Sequence, residues 1–147
     1  MKRIARSALV EHSAAQMYAL VERIEAYPEF LPWCREARVR ERTPGRTVAT
    51  LAVGLKGLRY AFTTENENRP PEAIALRLIE GPFRHFAAHW RIRALGAHAA
   101  RIEFSMEYEF AGALVSRALG PVFETIADTM VDAFKRRADA IHGQAAH

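Results

Sequence analysis

Only one cysteine, Cys34, occurs in 147 residues, so neither an internal disulfide nor a cysteine-built metal centre is available. That scarcity suits a reducing cytoplasm, which is the expected location. No apolar run approaches the ~18 to 20 residues of a membrane span, because Arg, Glu, His or Lys recurs throughout. Residues 1–12 carry basic side chains, but Arg6 breaks their apolar run and Glu11 closes it, too short for the core of an export signal. Aspartate appears only at 128, 132 and 139, and the chain has no glycine-rich phosphate loop, serine elbow or HExxH. The residues therefore give no support for an enzyme, and none is expected. Lysine is scarce as well: Lys2, Lys56 and Lys135 are the only three among 21 basic residues, leaving 18 arginines.

Half of the residues are hydrophobic, 10% are aromatic and 26% charged, which describes one folded domain over residues 1–147. The net charge is +4, and its arginine bias suits phosphate, because a guanidinium fork grips two oxygens at once. Nucleic acid and anionic head groups are both compatible with it.

Residues 3–10 read as a strand. Ser13 then forms an N-cap whose box is completed by Gln16, starting a helix near Ala14. Met17, Leu20, Val21 and Ile24 form its apolar stripe, and Pro28 is expected to stop it. The segment 27–34, with two prolines and three aromatics, is expected to be a partly buried plug, either the mouth of a cavity or a proline-stiffened cap. Strands follow at about 36–43, 46–56, 58–66, 73–80, 84–95 and 99–110, with turns at Pro44-Gly45, Gly57, Pro70-Pro71 and Gly81-Pro82.

The last two strands alternate most clearly. Phe86, Ala88, Trp90 and Ile92 oppose His85, His89, Arg91 and Arg93, and Ile102, Phe104, Met106, Tyr108 and Phe110 oppose Arg101, Glu103, Ser105, Glu107 and Glu109. One dry and one wet face define an antiparallel sheet. A helical pattern over 113–141 runs through Leu119, Val122, Phe123, Ile126, Met130, Phe134 and Ile141, and Pro121 is expected to kink or divide it near residue 120. Residues 143–147 are expected to fray.

The inward aromatic set is open to two readings, a lipid cavity or an ordinary close-packed core. Arg38, Arg40 and Arg42 alternate on one strand between Arg35 and Arg46, a basic stripe for RNA or anionic lipid, or simply a solvated face. Arg91 and Arg93 are expected to pair with Glu103, Glu107 and Glu109 across strands. His85 and His89, four apart on a strand, lie about 13 Å apart and are too distant to share a metal. Cys34 beside Trp33 is expected to pack rather than react.

Several strings together resemble a known family: Ser7-Ala8-Leu9-Val10 with Ser13-Ala14-Ala15-Gln16-Met17-Tyr18, Tyr27 to Cys34, Phe62-Thr63-Thr64, Glu80-Gly81-Pro82-Phe83, Trp90, Ile102-Glu103-Phe104 to Tyr108-Glu109-Phe110, and Gly120-Pro121-Val122-Phe123 to Met130-Val131-Asp132-Ala133-Phe134. In that order they are similar to the ribosome-association toxin RatA and coenzyme Q-binding proteins of the START-like (SRPBCC) helix-grip superfamily, with its polyketide cyclase-like domains. After Trp90 that family tends to carry Phe and then Pro, where this chain has Ile92 and Ala94.

The resemblance implies an α+β fold in which a curved antiparallel sheet grips a C-terminal helix around an apolar cavity. It places Tyr27, Phe30, Trp33, Tyr60, Phe62, Phe86, Trp90, Phe104, Met106, Tyr108, Phe123, Ile126, Met130 and Phe134 as cavity lining, in which Tyr60 or Tyr108 bonds either a quinone carbonyl or, equally, a backbone carbonyl. It also implies two roles. The leading one is non-enzymatic binding of ubiquinone or another polyprenyl lipid in support of respiration, with transient contact to a membrane surface and no other cofactor. The alternative is binding to the large ribosomal subunit so that subunits fail to join, through Arg35, Arg38, Arg40, Arg42 and Arg46. No DNA partner and no metal are expected.

Overall fold

The computed structural model describes residues 1–55 and 57–143; Lys56 and the tail segment 144–147, where most of the expected fraying falls, lie outside the described residues. Strand β1 (Lys2–Val10) leads into α1 (Ala14–Glu22) and a 3-10 helix, Ile24–Glu29. Then come β2 (Cys34–Thr43), β3 (Arg46–Val53), β4 (Tyr60–Arg69), β5 (Ala73–Glu80), β6 (Phe83–Gly96), β7 (Ala99–Phe110) and α2 (Ala113–His142). The seven strands form one antiparallel sheet in the order β1-β7-β6-β5-β4-β3-β2. Hairpins join neighbours from β2 to β7. Only β1 reaches its partner from the far end of the chain, and it carries α1 and the 3-10 helix across the open side.

Helix α1 begins where its capping box dictates. The Ser13 hydroxyl accepts from Gln16 N at 3.1 Å, and the Gln16 side chain accepts from Ser13 N at 3.0 Å. Its end differs from expectation, because the helix stops at Glu22, before the proline, and Pro28 sits inside the 3-10 helix. The 3-10 segment is short and its hydrogen bonds on either side, Ala26 N to Arg23 O and Phe30 N to Tyr27 O, do not use the nitrogen of Pro28, so a residue without an N–H is tolerated there. Ile24, Ala26, Tyr27, Leu31 and Trp33 are all buried, and the Tyr27 hydroxyl donates to the Val21 carbonyl. The plug is thereby packed as a cap over one end of the core.

Helix α2 runs through Gly120-Pro121 without division. Proline costs one intrahelical hydrogen bond, and the exposed Pro121 leaves the buried row Leu119, Val122, Phe123, Ile126, Met130 and Phe134 intact against the sheet. Ile141, expected on that row, is exposed because the helix has run past the edge of the core. This end of α2 is fastened by a polar contact: His12, 3% exposed, lies 2.7 Å through Nε2 from Asp139 Oδ1. One hydrophobic cluster joins the inner sheet face, α1, the cap and α2.

Of the register shifts in the sheet, those on β6 at Arg84 and on β2 at Arg40 bear on the site. An extra residue at Arg84 puts both Phe83 and Phe86 inside, opposite Phe110 and Tyr108. A second irregularity, at Arg40, shifts β2 so that Arg42 stands opposite the buried Thr47.

Candidate functional site

The inner face of the sheet meets α2 through two groups of rings. Phe123 is the hub of the first: its ring centroid lies 5.2 Å from Phe83 and from Tyr108, 5.5 Å from Phe110 and 6.2 Å from Phe62. Phe86 closes that group at 5.4 Å from Phe62. Phe134 is the second hub, 4.9 Å from Trp90, 5.0 Å from Phe30 and 5.5 Å from Tyr27, with Phe104 behind Trp90 at 4.9 Å. These spacings are those of rings in direct tilted or edge-on contact. Met106, Ile126, Met130 and Trp33 are buried in the same cluster, whereas Tyr60 and Phe30 are only half buried. Phe30 is covered from outside by the Arg137 guanidinium, 5.0 Å above its ring. Tyr108 also borders a crevice of about 360 Å³ between β1 and α2 that contains Glu124. Burial and then that carboxylate raise its phenol above the ordinary range.

Sequence reasoning missed part of this interior. Phe83 is a full member of the ring group, but strict alternation from Phe86 sends it outward and only the bulge brings it in. On β4 the inward positions after Phe62 are polar: Thr64, Asn66 and Asn68 are buried, as is Thr47 on β3. Thr64 donates to Asn66 at 2.8 Å, and Asn68 donates to Thr47 at 2.9 Å. The alternation of neutral Asn with charged Glu in Glu65-Asn66-Glu67-Asn68 was the available signal, since burying a hydrogen-bonded amide costs far less than burying a carboxylate. The hydroxyl of Tyr18 and the indole N–H of Trp33 are buried without a partner among the described residues.

The expected basic stripe is not a free face. Arg42 turns under the sheet and joins α1 to the cap, 2.9 Å from Glu22 and 2.8 Å from Glu25. Arg38 meets Glu36 at 3.2 Å, Arg40 donates to Thr50 Oγ1 at 2.7 Å, and Arg46 lies 2.6 Å from Glu65. Of the five only Arg35 has no ion partner or side-chain hydrogen bond among the described residues. Cys34 is buried, its thiol pushed up to about 11 by desolvation, the environment of an inert packing residue.

The expected cross-strand pairs also rearrange. Glu107 meets Arg3 and His85, Glu109 meets Arg84 and the N-terminus, and Glu103 meets Arg101. Arg91 and Arg93 are left without a carboxylate within ion-pair distance among the described residues, although Glu103 stands directly opposite Arg91 in register.

A curved antiparallel sheet closed on one long C-terminal helix is the helix-grip architecture of START-like proteins. The model of the family described as "Polyketide cyclase / dehydrase and lipid transport" matches residues 10–135, and the chain belongs to that family. It is 40% identical over 142 residues to the ribosome association toxin RatA of Escherichia coli (strain K12), covering 97% of this chain and 90% of that protein. The mitochondrial coenzyme Q-binding protein coq10 of Schizosaccharomyces pombe is 26% identical over 144 residues, covering 92% and 86%. Among solved structures, the Zhui aromatase/cyclase from Streptomyces superposes with a TM-score of 0.84 at 19% identity, over 99% of this chain and 97% of that one. The last likeness concerns the fold alone. No helix among the described residues is long and apolar enough to cross a membrane.

Proposed function

We propose that this protein associates with the large ribosomal subunit as a regulator of subunit joining, acting at the cytoplasmic ribosome and catalysing no reaction. The observation that carries the reading is the 40% identity, sustained over 97% of the chain, to a protein named for ribosome association. Two features agree with it. The space between sheet and helix is occupied by the protein's own rings at contact distance, and the surplus charge is arginine, suited to RNA phosphate. Co-sedimentation of the purified protein with separated large and small subunits tests it. Migration with the large subunit is expected, and free protein at the top of the gradient with both subunits would refute it.

The reading ranked first on sequence, binding of ubiquinone or another polyprenyl lipid, is second here. It is favoured by the coenzyme Q-binding relative and by the buried Thr64, Asn66 and Asn68 on the inward face, which could receive an oxygenated head group beside apolar rings. Native mass spectrometry of protein purified from its host tests it: a stoichiometric prenyl quinone supports the reading, and an empty protein refutes it.

A further inference from the structure

The outer face of the sheet holds a groove of about 920 Å³ between β4, β5 and β6, floored by Ala73 and Ala75. A second hollow of about 370 Å³ continues it toward β7 and β1, and the two share His89 and Arg91. The groove exists because alanines lie where longer side chains would cover the strands, while arginines rise on either side. In one cross-strand row Arg69, Ala73 and Arg91 lie side by side, which sets the two arginine stems about 10 Å apart across two strand spacings. Along β6, Arg91 and Arg93 are two residues apart, about 7 Å, comparable to the separation of consecutive phosphates on one RNA strand.

The charge in this groove is not fully compensated. Its acids are Glu67, which turns to Arg69 at 3.5 Å, and Glu72 on the rim. Glu103, in the second hollow, is held by Arg101 at 3.3 Å. Arg93 stands directly opposite Arg101 in register, an arrangement of like charges that costs stability unless an anion lies between them. His89, at the junction of the hollows, has its basicity lowered by burial and then by Arg91 and Arg69, against the opposing pull of Glu103. In the groove lining Arg69, Arg91 and Arg93 face only Glu67 and Glu72, so the charge there is net positive.

We infer that this outer groove is a docking surface for the phosphate backbone of folded RNA, with Arg91 and Arg93 as its principal contacts and Arg69 on the opposite wall. The inference deepens the ribosome reading and rests on it for the partner's identity. Direct bonds from a recessed, alanine-floored groove suit a ridge of phosphates entering from outside, recognised by shape and charge. A bilayer would instead require an apolar rim to insert; the lining offers one exposed large apolar side chain, Leu95, among arginines and glutamates, too little area for insertion.

The test compares the intact protein with Arg91→Gln/Arg93→Gln and with Arg38→Gln/Arg40→Gln as control, each checked for native circular dichroism. The probe is a fluorescent double-stranded RNA hairpin, titrated over a salt series. The groove pair is expected to lose at least about tenfold in affinity and about 2 in the slope of log affinity against log salt, while the control follows the intact protein. Equal binding by the groove pair and the intact protein, or no hairpin binding by the intact protein, would overturn the inference. So would an arginine-dependent attachment to phosphatidylglycerol vesicles with none to RNA. Co-sedimentation with ribosomal subunits is scored separately: hairpin binding through the groove without ribosome association would reject the proposed function and leave this surface standing.

Discussion

Replacing Phe123 by alanine separates a filled interior from a hollow one. Phe123 is 1% exposed and its ring meets Phe83, Tyr108, Phe110, Phe62 and Phe86 at centroid distances of 5.2 to 6.5 Å. In a close-packed core the substitution removes the transfer free energy of the ring and leaves a void that its neighbours fill only partly, about 3–5 kcal/mol in all. For a chain of this size that is a large part of a total stability on the order of 5–15 kcal/mol, and it lowers Tm by roughly 10 °C. Urea unfolding followed by far-ultraviolet circular dichroism measures it, with an unchanged m-value as the sign that the same two states are compared. A loss of about 1.5 kcal/mol or less, at or below the lower end of the transfer contribution alone, would refute the filled interior. Phe123 would then border open space, and the quinone reading would regain first place.

Four further outcomes follow from particular contacts. His12→Ala removes the partner of Asp139 and is expected to cost about 1.5–3 kcal/mol, read as a shift of the urea midpoint; no shift would mean that the C-terminal end of α2 is held by packing alone. Ser13→Ala removes the hydroxyl half of the capping box, while the backbone N–H of residue 13 can still donate to the Gln16 side chain, and is expected to cost about 1 kcal/mol, with Ser13→Gly closer to the parent. A methyl added at Gly81 would stand 2.5 Å from the Phe62 Cβ, so Gly81→Ala is expected to destabilise by about 1–3 kcal/mol through overpacking, and a neutral result would show that β4 can shift. Cys34 keeps its proton in the folded state up to about 11, against an ordinary 9.0. The unfolded chain releases that proton first, so this residue's contribution to stability is full below pH 9 and is lost as pH rises from there toward about 11. Cys34→Ser should flatten that part of the pH profile, and identical profiles would contradict the burial-raised thiol.

The elements of this fold are local in origin and were legible in the chain. Ser13 and Gln16 sit three apart and close a capping box whatever surrounds them. Phe104, Met106 and Tyr108 alternate with charged or hydroxyl neighbours and so choose a face as soon as a strand forms. The apolar positions of 113–142 recur at helical spacing and bury one side of α2. Most of the inward aromatic set was legible for the same reason.

What the tertiary structure decided depends on groups far apart in sequence. A single extra residue at Arg84 turns Phe83 inward, and another at Arg40 sends Arg42 under the sheet to Glu22 and Glu25; a shift of one residue exchanges the two faces of a strand. Which carboxylate each arginine meets is likewise settled by assembly. The β1–β7 pairing brings Arg3 to Glu107, and Glu103 turns along its own strand to Arg101, which leaves Arg91 and Arg93 exposed over the groove. Periodicity tells which face a side chain takes, but an ion pair requires two particular atoms within 4 Å, and only the closed sheet fixes those distances.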